Sequence, residues 1–454
     1  MAEGDAPDPR ERAAGQDEAE RLGPAPPAPR RQGARRLLSL ATLDTRPLRR
    51  HRDFRLLWMG QGVSFLGSMV TFVAIPYQAY QLTQSSLVVG LLGLAELAPL
   101  LIAALAGGAL ADALDRRLMV RLTEGGLAVC SAVLAVNALL AHPAVWALFV
   151  VSPAMAALDG LQRPSLDALA PRLVDREELI AAGALTTLRM TVGMVAGPAL
   201  GGILISSAGL PLTYSFDVVT FAGSLGALAM MRAVPPPPEA EPPSFRRVLD
   251  GWAYARSRPE LVGTYVVDIV AMFFGMPNAL FPAVAQSLGG PKVLGLLYAA
   301  PAVGALAATA TSGWTTHVRR HGAAVCLAAV GWGIGIVVFG VASALPLALV
   351  GLFVAGLADT LSGLFRSAIW NRTIPDHLRG RLAGIEQVSY STGPLLGNVE
   401  SGVVASLTGV RASIVSGGVL CVAGVGITVA ALPAFWHYLD SGDAKGRVVS
   451  HESA

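Results

Sequence analysis

Twelve stretches of this chain are apolar for long enough to cross ~30 Å of hydrocarbon, a distance that takes about 20 helical residues. They lie near 56–81, 86–111, 118–140, 145–167, 183–207, 211–231, 261–287, 292–314, 322–343, 346–370, 382–406 and 412–435. In lipid a helix satisfies its own backbone, so these runs predict an all-α membrane protein of twelve transmembrane helices. Only 14% of the 454 residues are charged, against about 25% in ordinary soluble domains. Water would demand more charge at the surface; lipid demands none. Fifty glycines fit the same reading, because small residues let membrane helices approach closely.

The connections test the count. The odd-numbered ones are almost free of positive charge, with Lys292 and Arg411 as exceptions. The even-numbered ones are basic: Arg116, Arg117 and Arg121 after the second run; Arg163, Arg172 and Arg176 around the end of the fourth; Arg232, Arg246, Arg247, Arg256 and Arg258 after the sixth; Arg319 and Arg320 after the eighth; Arg366, Arg372, Arg379 and Arg381 after the tenth. Positive charge is retained inside the cell, so the alternation predicts an inner-membrane, multi-pass protein with both termini cytoplasmic. The expected organisation is a tail over 1–50, a six-helix bundle over 51–232, a linker over 233–260 with a basic amphipathic segment suited to anionic lipid, a second bundle over 261–436, and a tail over 437–454.

The halves repeat weakly. Asp175 with Ala182-Gly183 is answered by Asp376 with Ala383-Gly384, and Gly209 by Gly409. Parallel repetition of two bundles is the internal symmetry of transporters whose halves rock against each other.

An ionisable side chain inside a membrane helix is costly and is a functional candidate. Glu96 lies near the middle of the second run and is the first candidate for binding protons, cationic substrate or both. Asp268 and Asp359 lie in the seventh and tenth runs, where each can face a central cavity. Asp159 and Arg163 are four apart, on one helix face, and read as an ion pair or a coupling pair; Arg189 can serve either acid. Asp217 is expected to reach water, Glu386 is interfacial, and Glu400 lies deeper. Gln61, Tyr77, Gln78, Phe273, Phe274 and Asn278 are cavity-lining candidates. Pro76 and Pro277 occupy comparable places in the two halves, where a helix can break.

At 107–117 the chain reads Gly-Gly-Ala-Leu-Ala-Asp-Ala-Leu-Asp-Arg-Arg. This resembles the signature loop between helices 2 and 3 of the major facilitator superfamily, with Gly108, Asp112, Arg116 and Arg117 matching and Ala113 and Asp115 departing. Gly193, Gly197, Pro198, Gly201 and Gly202 resemble the helix-5 motif of drug:proton antiporters in that superfamily. Residues 52–58 and 164–179 are similar to the enterobactin-exporter and multidrug-efflux branch. The resemblance implies two pseudo-symmetric six-helix bundles, alternating access, a monomer, and a signature loop that holds the bundles together on the cytoplasmic side in one state.

The expected function is therefore export of small amphipathic molecules, such as a drug, a siderophore or another secondary metabolite, with the proton gradient as energy source. An importer or a lysophospholipid flippase of the same fold is the alternative. An enzyme is not expected: the seven histidines lie in tails, connections or interfacial ends, no nucleophile elbow or phosphate-binding loop occurs, and no metal ligand spacing appears around the three cysteines. No cofactor and no nucleic acid partner are expected. A non-transporting receptor is disfavoured by the two halves and the buried acids.

Overall fold

The computed structural model describes residues 44–234 and 254–439. Most of the expected tails and linker, with its amphipathic segment, lies outside these residues. All regular elements among the described residues are helical. We label the main ones α1 (Arg52–Thr83), α2 (Ser86–Ala113), α3 (Arg116–Leu139), α4 (Val145–Leu169), α5 (Leu179–Ala229), α6 (Pro259–Phe274), α7 (Phe281–Leu288), α8 (Pro291–Ala310), α9 (His321–Val341), α10 (Leu345–Thr373), α11 (Asp376–Thr408) and α12 (Val410–Ala431).

Ten stretches among the described residues are long and apolar enough to cross a membrane. One of them contains α5, which is two helices joined at Gly209, where φ 77° and ψ 171° interrupt the helix. Gly409 makes the same kind of joint between α11 and α12, with φ 94° and ψ 157°. Both are conformations that glycine adopts without steric cost. The repeat seen in sequence is thus a repeat of backbone geometry. Counting the two arms of α5 separately gives eleven of the expected twelve; α11, with 33 residues, is a helix but is not among the ten.

Local sequence explains why these helices sit as they do. Along α1, buried Gly60, Ser64, Gly67, Thr71, Ala74 and Gln78 recur in steps of four and three, a small and polar seam that α5 packs against. α3 is inverted relative to a soluble amphipathic helix. Thr123, Glu124, Ser131 and Asn137 are buried, while Leu122, Val129, Val133 and Val136 are exposed, as a lipid-facing surface requires. Ser85 caps α2 by accepting from Val88 N, and Asp115 caps α3 by accepting from Arg117 N at 2.8 Å and Leu118 N at 3.3 Å.

The seventh run does not form one helix. α6 ends at Phe274, a short 3-10 turn follows at Asn278–Leu280, and α7 begins at Phe281. Gly275 and Pro277 cause the break, since proline offers no N–H to continue the ladder. The freed groups are not abandoned. Trp332 Nε1 donates to Gly275 O at 3.0 Å, Asn398 Oδ1 accepts from Ala279 N at 3.1 Å, and Tyr298 Oη donates to Asn278 O at 3.2 Å. Irregular backbone at membrane depth survives only with such partners. Pro76, expected to behave alike, stays inside the continuous helix α1.

The two halves meet mainly through α5 with α8 and α2 with α11. The close backbone approaches are at the end that carries the α1–α2 and α11–α12 turns. Gly90 faces the backbone of Asn398, and Gly402 faces Ser86. A Cβ on Gly202 would come within 2.6 Å of Pro291 O and 3.0 Å of Gly295 Cα. Gly202→Val should therefore disfavour this seal by about 1–3 kcal/mol, the usual cost of overpacking. Ser86→Cys in a variant with serine at 130, 326 and 421 should then react faster with a thiol reagent than it does with Gly202 present. Unchanged labelling would mean that the approach does not hold the halves together. Asn398→Leu would leave Ala279 N–H without its acceptor, at about 1–3 kcal/mol, and should lower Tm in detergent.

Candidate functional site: buried charges of the two halves

Glu96 sits in the middle of α2 and accepts a very short hydrogen bond from Ser152 Oγ of α4. Glu96 lies on α2, the helix of the first half that packs against α11 of the second. Tyr298 is fully ringed by partners, edge-on to Phe72 at 5.3 Å and to Phe281 at 4.9 Å. The phenol therefore joins α1 of one half to α7 and α8 of the other.

The first half holds two further acids that sequence reasoning undervalued. Glu124 is 0% exposed. Its Oε1 accepts from Gln61 Nε2 at 2.5 Å, Ser224 Oγ at 2.9 Å and Ser64 Oγ at 3.1 Å. Glu124 lies near the basic turn of Arg116–Arg121 and so passes for an interfacial residue. Its buried polar neighbours on α1 and α5 are the signal that betrays it. Asp217, expected to reach water, is also 0% exposed. It accepts from Thr71 and Ser131, both at 2.7 Å, and from Thr220 at 3.2 Å. Hydroxyls of α1, α3 and α5 do for it what water would have done.

These contacts hold two of the lining candidates. Gln61 bonds Glu124, and Gln78 accepts from Tyr214 Oη at 2.8 Å. Tyr77 and Gln78 both line a cleft with Gln81, Ala138, Pro143 and Pro211, and the Tyr77 hydroxyl accepts from Gln81 at 3.2 Å. Phe273 and Phe274 form an edge-to-face pair at 5.0 Å beside the break in the seventh run, where Asn278 offers its carbonyl to Tyr298.

In the second half, Asp268 of α6 and Arg366 of α10 form a tight ion pair with both side chains buried. Asp359, two turns earlier on α10, is 3.7 Å from the same guanidinium and is 42% exposed. Tyr390 lies 5.4 Å from the guanidinium carbon. Arg366 is thus not one of the loop cations after the tenth run. It sits inside α10 because Asp268 and Asp359 supply the counter-charge that lipid cannot. Asp159 and Arg163 form their expected pair at 3.0 Å on α4, with both side chains partly exposed. Arg189 faces neither of these but lies within electrostatic reach of Glu124 and Asp167.

The signature loop ties helices within the first half. Arg116 donates to Ala168 O at 3.2 Å; Arg117 donates to Leu228 O at 2.7 Å and Ala229 O at 2.8 Å, closing the C-terminal end of α5. The side chains of Gly108 and Asp112 lie outside the described ones. The helix-5 motif divides between two faces. Gly193, Gly197 and Gly201 meet Phe65, Met69 and Val70 of α1, whereas Pro198 and Gly202 meet Gly295 of α8 across the halves. Among the described residues no three ligand side chains converge as a metal site would need.

A family model described as transmembrane secretion effector matches residues 44–445. An enterobactin exporter, EntS, of Citrobacter koseri is 29% identical over 391 residues, 86% of this chain and 93% of that protein. The EntS of Shigella boydii serotype 4 is 28% identical over the same shares. Among solved structures, a mutant of the peptide transporter POT superimposes with TM-score 0.71 at 12% identity, covering 86% of this chain and 96% of its own. The human organic anion transporter MFSD10 gives 0.59 at 16%, covering 83% and 99%. The chain belongs to the transmembrane secretion effector family and, with it, to the major facilitator superfamily of membrane transporters.

Proposed function

We propose that this protein exports small amphipathic molecules, such as a drug, a siderophore or another secondary metabolite, across the inner membrane in exchange for protons. The two halves alternate access around the space between them, and the protein works as a monomer in lipid. The observation that carries this reading is Glu96, a carboxylate at membrane depth that bonds within its own half on a helix packed against the other. A charge that appears or disappears there changes the interaction between the halves directly. The seal at the α1–α2 end supports a state open toward the termini, from which an exporter loads. The relatives named as enterobactin exporters support the outward direction.

In pump-deficient cells the protein should lower accumulation of ethidium and of part of a small antibiotic panel, and a protonophore should abolish the effect. Glu96→Gln should abolish it as well, with expression and membrane insertion unchanged. Normal efflux by Glu96→Gln at every external pH would remove Glu96 from the coupling path.

The positive-inside pattern predicts cytoplasmic termini. In a cysteine-free variant, Pro143→Cys between α3 and α4 should react with a membrane-impermeant maleimide on intact cells. Leu114→Cys between α2 and α3 should react only after lysis. The reverse pattern would invert the topology and the direction of transport with it.

A further inference from the structure

Glu124 has one saturated oxygen and one bare one. Three donors converge on Oε1, while Oε2 is buried without a hydrogen-bond partner. The cation whose charge acts on Glu124 is Arg189, on the first arm of α5. Arg189 in turn has a buried Nε without an acceptor and makes no ion pair within 4 Å among the described residues. Two buried polar atoms of opposite character, both unsatisfied and within electrostatic reach, cost a folded protein free energy. The arrangement has two ways to relieve that cost: the guanidinium closes on Oε2, or Oε2 takes a proton.

Arg189 has somewhere else to go. It also lies within electrostatic reach of Asp167 on α4, which is exposed and is shared with Arg163. Asp159, Arg163 and Asp167 are spaced four and four on α4 and so lie along one face. Together with Arg189 and Glu124 they form a ladder of alternating charge from the partly exposed Asp159–Arg163 pair to a fully buried acid. Because Arg163 also neutralises Asp167, Arg189 can leave Asp167 without stranding it. Gly62 of α1 lies beside the Arg189 stem, where a Cβ would meet Cγ and Cδ at 3.5 and 3.6 Å, ordinary contact distances. On the remaining element packed around Glu124, α1, the facing groups are Gln61 and Ser64, neither of which titrates. Asp217, further along α5, is held by its own three hydroxyls.

We propose that Glu124 is a proton-binding site of the first half, and that Arg189 turns toward Glu124 when the carboxylate is bare and toward Asp167 when it carries a proton. The proton adds to Oε2; Arg189 keeps its own charge throughout. The ligand is a proton and not a metal cation, because Gln61, Ser64 and Ser224 all direct donors at the site. The exchange turns the Arg189 charge from α3 to α4, so the proton at Glu124 is felt by α4 and α5, which pack against α2 and α8. This inference rests on the reading of the chain as proton-driven. It adds a site within the first half, in contrast to Glu96, whose helix packs against the other.

The test is infrared difference spectroscopy of the purified full-length protein in lipid nanodiscs, between acidic and alkaline buffer. It needs no cargo and so fails or succeeds separately from the efflux assay. A protonated-carboxyl C=O band should be present at acidic pH, absent in Glu124→Gln, and retained in Glu96→Gln. In Arg189→Gln the same band should persist but be displaced, and Arg189→Lys should restore its position in part. Ethidium efflux by Glu124→Gln should lose its dependence on external pH. A difference spectrum of Glu124→Gln identical to wild type, on protein with a wild-type size-exclusion profile, would overturn the assignment. A band that ignores every change at Arg189 would overturn the exchange.

Discussion

Every peptide group in hydrocarbon needs a partner, and the rest of this structure follows from that requirement. Where the chain stays helical, the demand is met locally. Where it does not, side chains of other helices must meet it. Trp332, Asn398 and Tyr298 do so around Gly275–Asn278, and they come from α9, α11 and α8. The break in the seventh run is therefore not a loose point. It is the place where four elements of the second half are tied to one another, with Tyr298 extending the tie to Phe72 in the first half. A hinge made of satisfied hydrogen bonds can move only by exchanging them together, which suits a two-position device better than a flexible loop would.

The second constraint is that lipid supplies no hydrophobic drive for helices to associate. Close approach must come from small residues, and the helix-5 motif shows how one stretch serves two partners. Positions 193, 197 and 201 fix α5 to α1 inside the first half. Positions 198 and 202, one step around the same helix, meet Gly295 of the other half. The first contact lies within one half, the second between the halves. Residue spacing separates the two interfaces on one helix.

Much of this was legible in the sequence. Run length and charge alternation located the ten stretches long and apolar enough to span, and Gly209 with Gly409 marked matching joints that the backbone confirms in both halves. The failures have a common physical origin. Arg366 was counted with the loop cations because topology reading treats arginine as a marker of the interface; only the fold brings Asp268 from another helix to neutralise it. Asp217 was placed near water because position along a run says nothing of the hydroxyls that three helices converge on it. Sequence gives depth but not facing for Gln61 and Gln78, whose partners, Glu124 and Tyr214, lie more than sixty residues away. Pro277 broke its helix and Pro76 did not, a difference set by the neighbouring Gly275 and by the availability of outside partners for the freed backbone.

The two halves solve the problem of buried acid differently, and the difference assigns them different work. In the second half, Asp268 is held by a guanidinium, so a change in its protonation would break an ion pair and leave a buried Arg366 less compensated. In the first half, Glu124 and Asp217 are held by hydroxyls and an amide, which stay in place whether the carboxyl is charged or neutral. Charge can therefore come and go in the first half without dismantling its packing. The second half keeps a fixed pair, with Asp359 as its exposed edge. A transporter built this way gathers its variable charge in one bundle and presents a constant electrostatic surface with the other, so that the force between the halves is set from one side.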